Sequence, residues 1–186
     1  MHNDNLSPVS SIQHPLPVQG ALSMDDSNAD ELEWRDTYFI LFDQSDRPTL
    51  TQVEAAITEA SRRLKLENLE ADDDGMFESL LVQAPQDNAA LEISYETGEA
   101  VVAQSVDLAK QLRDELNKEQ LAKMLKADAR LDVMLFERVQ SDGLGDDEED
   151  WEIGSLDPAS LLNVVDALAR LTGGLPIDPA SGAVLS

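Results

Sequence analysis

The chain has 186 residues, enough for one domain of ordinary size, and a hydrophobic content of 42 % allows it to build a core. It has no cysteine, which excludes disulfides and thiolate chemistry. Its 38 acidic residues outnumber 13 basic ones, giving a formal charge of −25, so we expect no binding to nucleic acid or to anionic membranes. No apolar run approaches the roughly 20 residues that cross a bilayer, and the N-terminus does not resemble a secretory signal. The expected compartment is the cytoplasm.

Residues 1–30 are rich in Ser, Pro, Asn and Asp without periodicity, which predicts a disordered tail ahead of a single domain at 31–186. The run "DTYFILFD" is apolar at consecutive positions, which is typical of a strand buried on both faces. A helix is predicted over "SDRPTLTQVEAAITEASRRL". Either Thr49 or Thr51 can cap it, since Gln52 or Glu54 follows three residues later as in a capping box.

Two strands are predicted after an acidic turn, in "MFESLLVQA" and "ALEISYE". Pro, Asp and Asn residues between them indicate a hairpin, and the second strand alternates apolar with polar side chains as a half-buried strand does. The pattern of "EAVVAQSVDLAKQLRDEL" predicts a long helix. "NKEQLAKMLKAD" continues it, either as a second helix or as its bent end, and "ARLDVMLFERVQ" predicts a further strand.

An acid-rich loop at 141–150 precedes the last predicted helix. Asp157 suits its N-cap, Pro158 its first helical position and Gly173 its C-terminal stop. The paired glycines of "LTGGLPID" therefore end a helix and do not open a phosphate-binding one. A short edge strand is expected after them.

The order of the elements is β-α-β-β-α-β with an additional C-terminal helix. It predicts an α+β fold of the ferredoxin-like, split βαβ kind, in which an antiparallel sheet carries its helices on one face. The other face then requires a cover. The terminal helix, Pro158 to Thr172, is the expected cover, ahead of a second subunit or polar side chains.

The stretch "LEADDDG" resembles the first half of a calcium-binding loop. With Gly75 at position 6, the acids Glu70, Asp72 and Asp74 occupy positions 1, 3 and 5 of an EF-hand, but Leu81 stands at position 12, where a glutamate is needed. We interpret the stretch as a solvated turn in which Gly75 adopts a positive φ. Glu70, Asp72 and Asp74 are the candidate metal ligands if it is not.

A second acidic run consists of Asp146, Asp147, Glu148, Glu149 and Asp150, and Trp151 follows it directly. Like charges in a row repel one another and stay hydrated, which favours a solvated loop over an ion site. The functional alternative is a docking tip for a basic partner, with Trp151 as its aromatic anchor. A divalent-cation site is the third interpretation.

Both histidines, His2 and His14, lie in the predicted tail, so the predicted domain contains neither His nor Cys. This excludes His- and Cys-based catalysis and His-ligated zinc. Glycine-rich nucleotide motifs are also missing. Carboxylate pairs survive as catalytic candidates, but basic residues to hold a substrate are scarce. We assign no catalytic residue and no cofactor.

We therefore expect a non-catalytic cytoplasmic protein that acts through protein–protein contact, with either a basic protein or a second copy of the chain as partner. One alternative is an acidic decoy that inhibits a basic or nucleic-acid-binding protein. It would need carboxylates across a folded face, at about 7 Å spacing. Another is a divalent-cation-dependent enzyme or sensor. Solubility or adaptation to salt would explain the acidity without a partner.

Overall fold

The computed structural model describes residues 31–139 and 158–185. The strands in these ranges are β1 (Glu31–Phe42), β2 (Lys65–Ala71), β3 (Phe77–Ala84), β4 (Ala89–Thr97), β5 (Ala129–Val139) and β6 (Leu175–Ile177). The α-helices are α1 (Leu50–Ala60), α2 (Glu99–Gln111), α3 (Lys118–Lys126) and α4 (Pro158–Thr172).

The strands form one six-stranded sheet in the order β2-β3-β4-β5-β1-β6, with every neighbouring pair antiparallel. The predicted α+β class is confirmed. The ferredoxin-like arrangement is not, because a split βαβ pairs its first strand in parallel with another strand. Here α2 and α3 return the chain to the position beside β4, so β5 lies between β4 and β1 and pairs antiparallel with both.

Helices lie on both faces of the sheet, so the prediction that they share one face is wrong. On the first face α1 and α4 pack over a core that includes Ile40 and Phe42, and on the second face α2 and α3 pack over Phe39 and Leu41. The physical reason lies in β1, which is buried on both sides from Phe39 to Phe42 and therefore needs a cover on each. The expected burial of β1 on both faces is confirmed.

Helix α4 has the predicted bounds and belongs to the core, with six of its residues buried. It packs beside α1 on the first face. The expectation that it covers a face without helices is therefore wrong. At its end the N–H of Gly173 bonds to the carbonyl of Arg170 at 3.4 Å, and the N–H of Gly174 bonds to that of Ala169 at 3.0 Å. With Gly173 at φ +62°, this is a Schellman motif. The helix-stop interpretation of the paired glycines is confirmed.

Local capping explains where the other helices begin. Thr49 and Gln52 form the capping box of α1, which decides between the two threonines proposed above. Asn117 caps α3 as a separate helix. Strand β2 was not predicted, because all but one of its seven residues are exposed and leave no alternating pattern. The predicted cap Asp157 lies outside the described residues.

Candidate functional site

The acidic turn between β2 and β3 holds the three candidate metal ligands, and each has its own protein partners. Glu70 accepts a hydrogen bond from Ser79 Oγ at 2.8 Å. Asp72 Oδ1 accepts the backbone N–H groups of Met76 at 2.9 Å and Asp74 at 3.0 Å. The bond from Met76, with that from Asp74, outweighs desolvation and holds the pKa of Asp72 below its usual value. Among the described residues, no three acidic or imidazole side chains converge as a metal site requires.

Arg47 ties this turn to the sheet. Its Nη1 donates to Asp72 Oδ2 at 2.9 Å, while Nε and Nη2 donate to the carbonyl oxygen of Phe77 at 3.1 and 2.8 Å. The guanidinium carbon lies 4.2 Å from the centre of the Tyr95 ring, a cation–π contact. Gly75 has a φ of +78°, as predicted. Both carboxylate oxygens of Asp72 are thus engaged by donors of the protein itself.

The other candidates from the sequence lie outside the described residues. They are Asp146, Asp147, Glu148, Glu149, Asp150 and Trp151, together with His2 and His14. The described ranges consequently contain neither His nor Cys. Polar chemistry there depends on carboxylates, hydroxyls, amides and the basic side chains.

The second face of the sheet is covered by α2 and α3 mainly on its β1–β6 side. On the remaining part, paired residues of neighbouring strands form two rows, because directly opposite residues point to the same side. We call this surface the open face. Each row crosses the strands β2, β3, β4, β5 and β1 in that order. The first row is Lys65, Gln83, Ala90, Phe136 and Trp34, and the second is Glu67, Leu81, Glu92, Met134 and Thr37. In the described part of the chain, none of these residues belongs to the core cluster under α2 and α3, and Ala90, between Gln83 and Phe136, is itself fully buried.

Apolar side chains are grouped on the open face. Trp34 is 60 % exposed, and Leu81, Met134 and Phe136 are half-buried. In β3 and β5 the residues that alternate with Leu81, Met134 and Phe136 are buried under α1 and α4 on the first face; they are Leu80, Val82, Val133 and Leu135. Single exposed apolar residues are normal on a protein surface, whereas a contiguous group of them marks a contact site.

A β-bulge in β1 places Trp34 in this group. The pairing register gains one residue between Trp34 and Asp36, which leaves Arg35 as the additional residue. Without the bulge, the period of two would turn Trp34 to the first face. With it, Trp34 lies opposite Phe136 on the second face, and its Nε1 donates to Thr37 Oγ1 at 3.0 Å.

Half of the open face comes from an acidic segment, residues 66–109, which contributes Glu67 and Glu92 to this surface. This segment spans β2 without its first residue, β3, β4 and most of α2, and it contains 11 Asp and Glu but no Lys or Arg. Among the described residues, ion pairs reach only two of these acids, Asp72 through Arg47 and Asp107 through Lys110. Most of the negative charge of the segment is therefore not neutralised by a cation of the fold.

Glu92 occupies the middle of the open face. Its direct neighbours across the strands are Leu81 and Met134, and its side chain is half-buried. Lys65, the basic residue of the open face, lies two strands away in the other row. A carboxylate between apolar neighbours is partly shielded from water, so it attracts a cation more strongly than a fully hydrated carboxylate does.

The sheet edge beside the open face is poorly suited to the addition of another strand. Edge strand β2 carries Lys65, Glu67 and Glu70, and its pairing is irregular between the two glutamates, where Asn68 has a φ of +49°. Charges and bulges on an edge oppose pairing with another chain. A partner on this side of the molecule is expected to contact the face and not the edge.

An ion pair lies where the open face meets α2. Arg130 Nη2 donates to Asp132 Oδ2 at 3.0 Å, and the guanidinium also contacts Gln104 of α2 and stacks over Phe39 at 4.2 Å. Burial raises the pKa of Asp132 although Arg130 opposes the effect. No pattern in the sequence indicates this pair, because the packing of α2 buries it.

Comparison of the chain with protein-family models, with curated proteins and with solved structures gave no match. Each helix in the described ranges is too short or too polar to cross a membrane.

Proposed function

We propose that this chain is a non-catalytic protein that acts through protein–protein contact, with the open face as its contact surface. The observation that carries the proposal is the group of Trp34, Leu81, Met134 and Phe136 on a part of the sheet outside both core clusters of the described residues. Aromatic residues and Met are enriched at protein interfaces, and Trp is frequent among the residues that dominate binding energy.

The size of the open face suits one element of a partner. Five strands at a spacing of about 4.8 Å give it a width of roughly 19 Å. A helix with its side chains is about 10 Å across, so one helix or one extended segment occupies the two rows. Contacts of this size belong to the small, transient class of interfaces.

A cation-dependent enzyme or sensor receives less support. Its ligands would come from the acidic turn, where Arg47 and backbone N–H groups already engage Asp72, and Ser79 engages Glu70. A cation would have to displace these donors.

The acidic decoy is the closer alternative, because 26 of the 38 acidic residues lie in the described ranges and are not confined to the tail and the loop. On the open face, however, Leu81 separates Glu67 from Glu92. Their strands are about 10 Å apart, which is wider than the phosphate spacing of about 7 Å. A contact that mixes apolar and acidic groups fits this geometry better than imitation of a phosphate backbone.

Affinity capture from the native cell lysate tests the proposal. Wild-type protein is compared with Trp34→Ala and with the control Leu162→Ala, which truncates a side chain that is 46 % exposed on α4. We expect one partner to be retained by wild type and control and lost by Trp34→Ala. Equal capture by both variants would show that the open face is not the contact surface.

Three companion measurements cover the other expectations. Sedimentation velocity detects a homodimer, and loss of the dimer in Trp34→Ala would assign the open face to a second copy of the chain. A variant with Ser at Asp146, Asp147, Glu148, Glu149 and Asp150 tests the acidic loop as a docking tip. Cell fractionation tests the cytoplasm as the compartment.

A further inference from the structure

We propose, resting on the proposed function of the open face, that its partner is a cationic amphipathic segment of another protein. Such a segment buries apolar side chains against Leu81, Met134 and Trp34 and places Lys or Arg beside Glu92 and Glu67. Two features of the open face support this proposal. Its net charge is negative, and charged and apolar side chains alternate along one of its rows.

The remaining parts of the chain offer no Lys or Arg to pair with the carboxylates of the open face. Residues 1–30 and 140–157 together contain 12 acidic residues and no Lys or Arg. Neither range can therefore place a Lys or Arg beside Glu92 and Glu67, and a segment of another protein has to supply that cation.

A second copy of the chain meets the same difficulty. A two-fold contact sets one surface against itself, so the acidic segment of one copy would lie near that of the other. The open face itself carries Glu67 and Glu92 with Lys65 as its one base, so both sides of such a contact have net negative charge. A basic partner removes this repulsion and turns it into attraction.

Charged and apolar groups alternate along one row of the open face. Glu67, Leu81, Glu92 and Met134 lie on the adjacent strands β2, β3, β4 and β5. Neighbouring strands are about 4.8 Å apart, close to the rise of about 5.4 Å for one helical turn.

A helix that lies across the strands therefore matches the row when successive turns of its contact side carry a cation, an apolar residue, a cation and an apolar residue. Positions three or four apart share one side of a helix. About 13 residues span the roughly 19 Å of the open face.

A titration with designed peptides tests this inference. The protein carries Trp151→Phe, which leaves Trp34 as its only tryptophan and makes the fluorescence of Trp34 report on the open face. The probes are three helical peptides with Leu on alternate turns of one side and Lys, Gln or Glu on the turns between. Variants Glu92→Gln and Glu59→Gln serve as a matched pair, since Glu59 is exposed on α1 at the opposite side of the sheet.

We expect the Lys peptide to shift the emission of Trp34 to the blue and to bind about tenfold more tightly than the Gln peptide. Raising the salt to about 0.3 M weakens this binding, because exposed charge attractions are screened. Glu92→Gln lowers the affinity for the Lys peptide by about fivefold or more, and Glu59→Gln leaves it unchanged.

The inference is overturned if the Gln or Glu peptide binds as tightly as the Lys peptide, if no peptide changes the emission of Trp34, or if the two glutamate variants behave alike. These results leave the proposed function open to its own test. A partner captured in the lysate experiment and lost with Trp34→Ala would then keep the contact surface and reject only its cationic ligand. Unchanged capture by Trp34→Ala would reject the contact surface as well.

Discussion

Replacing Arg47 by Ala should destabilise the fold well beyond the cost of an ordinary surface change. The Arg47 side chain is only 18 % exposed, and its Nε and Nη2 both donate to the carbonyl oxygen of Phe77 at the start of β3. The same guanidinium stacks on the Tyr95 ring of β4. One residue therefore links the entry to α1 with two strands of the sheet.

The size of the effect follows from these contacts. A hydrogen bond to a charged donor contributes about 1.5–3 kcal/mol, and a partly exposed cation–π contact about 0.5–1 kcal/mol. The ion pair with Asp72 faces solvent and adds little. We expect Arg47→Ala to lower the free energy of unfolding by about 2–4 kcal/mol.

Urea denaturation followed by circular dichroism measures this difference. Arg63→Ala is the control, because Arg63 is exposed after the end of α1 and its loss should change stability by less than about 0.5 kcal/mol. Arg47→Lys should recover less than half of the lost stability, since an ammonium group has no planar fork to donate twice and stack. Hydrogen exchange of the Met76 amide should accelerate in Arg47→Ala. A loss of less than about 1 kcal/mol, or a lysine that restores full stability, would refute this account of Arg47.

Three further predictions concern stability. A Cβ on Gly174 would lie 2.8 Å from Ile40 Cγ2, so Gly174→Ala should cost about 1–3 kcal/mol in urea denaturation. Gly75→Ala meets no atom within 4 Å and should cost only about 1 kcal/mol, for its positive φ; equal costs would contradict this. Burial, more than hydrogen bonding, raises the pKa of Tyr38 to about 12, so the folded state loses stability as pH rises from 10 toward 12, and Tyr38→Phe should lose less over that range. Backbone hydrogen bonds lower the pKa of Asp72, so the ionised carboxylate stabilises the fold above the usual pKa of 3.8, and this stabilisation is lost as pH falls. The difference in the free energy of unfolding between wild type and Asp72→Asn should therefore narrow below that pH. A constant difference would argue against the lowered pKa.

Local features of the fold were predictable because they depend on neighbouring residues. The capping box at Thr49, the turn glycine Gly75 and the glycine stop after α4 each follow from backbone chemistry within a few positions. The burial of β1 on both faces follows from its run of consecutive apolar residues.

The arrangement of the sheet was not predictable, because it depends on contacts between distant segments. The order of elements is compatible with a parallel neighbour for β1, and only the packing of α2 and α3 brings β5 between β4 and β1. Strand β2 forms through backbone pairing at an edge, where exposed side chains carry no alternating pattern.

The open face was only partly visible in the sequence. The alternation in β4 already placed Glu92 on the polar side, and the absence of Lys and Arg from 66–109 can be counted directly. Nothing in the pattern of β1 indicated that a bulge turns Trp34 to the same side. Leu81 and Met134 lie in runs of apolar residues, where a period of two cannot assign a face.

Photo-crosslinking in the native cell tests the central claim most directly. Benzoylphenylalanine replaces Trp34 on the open face, and in a matched variant it replaces Leu125, which is 52 % exposed on α3 outside that face. The account predicts a crosslink from position 34 to one basic protein and no specific product from position 125. A product from position 125 but none from position 34, or the same products from both, would contradict it.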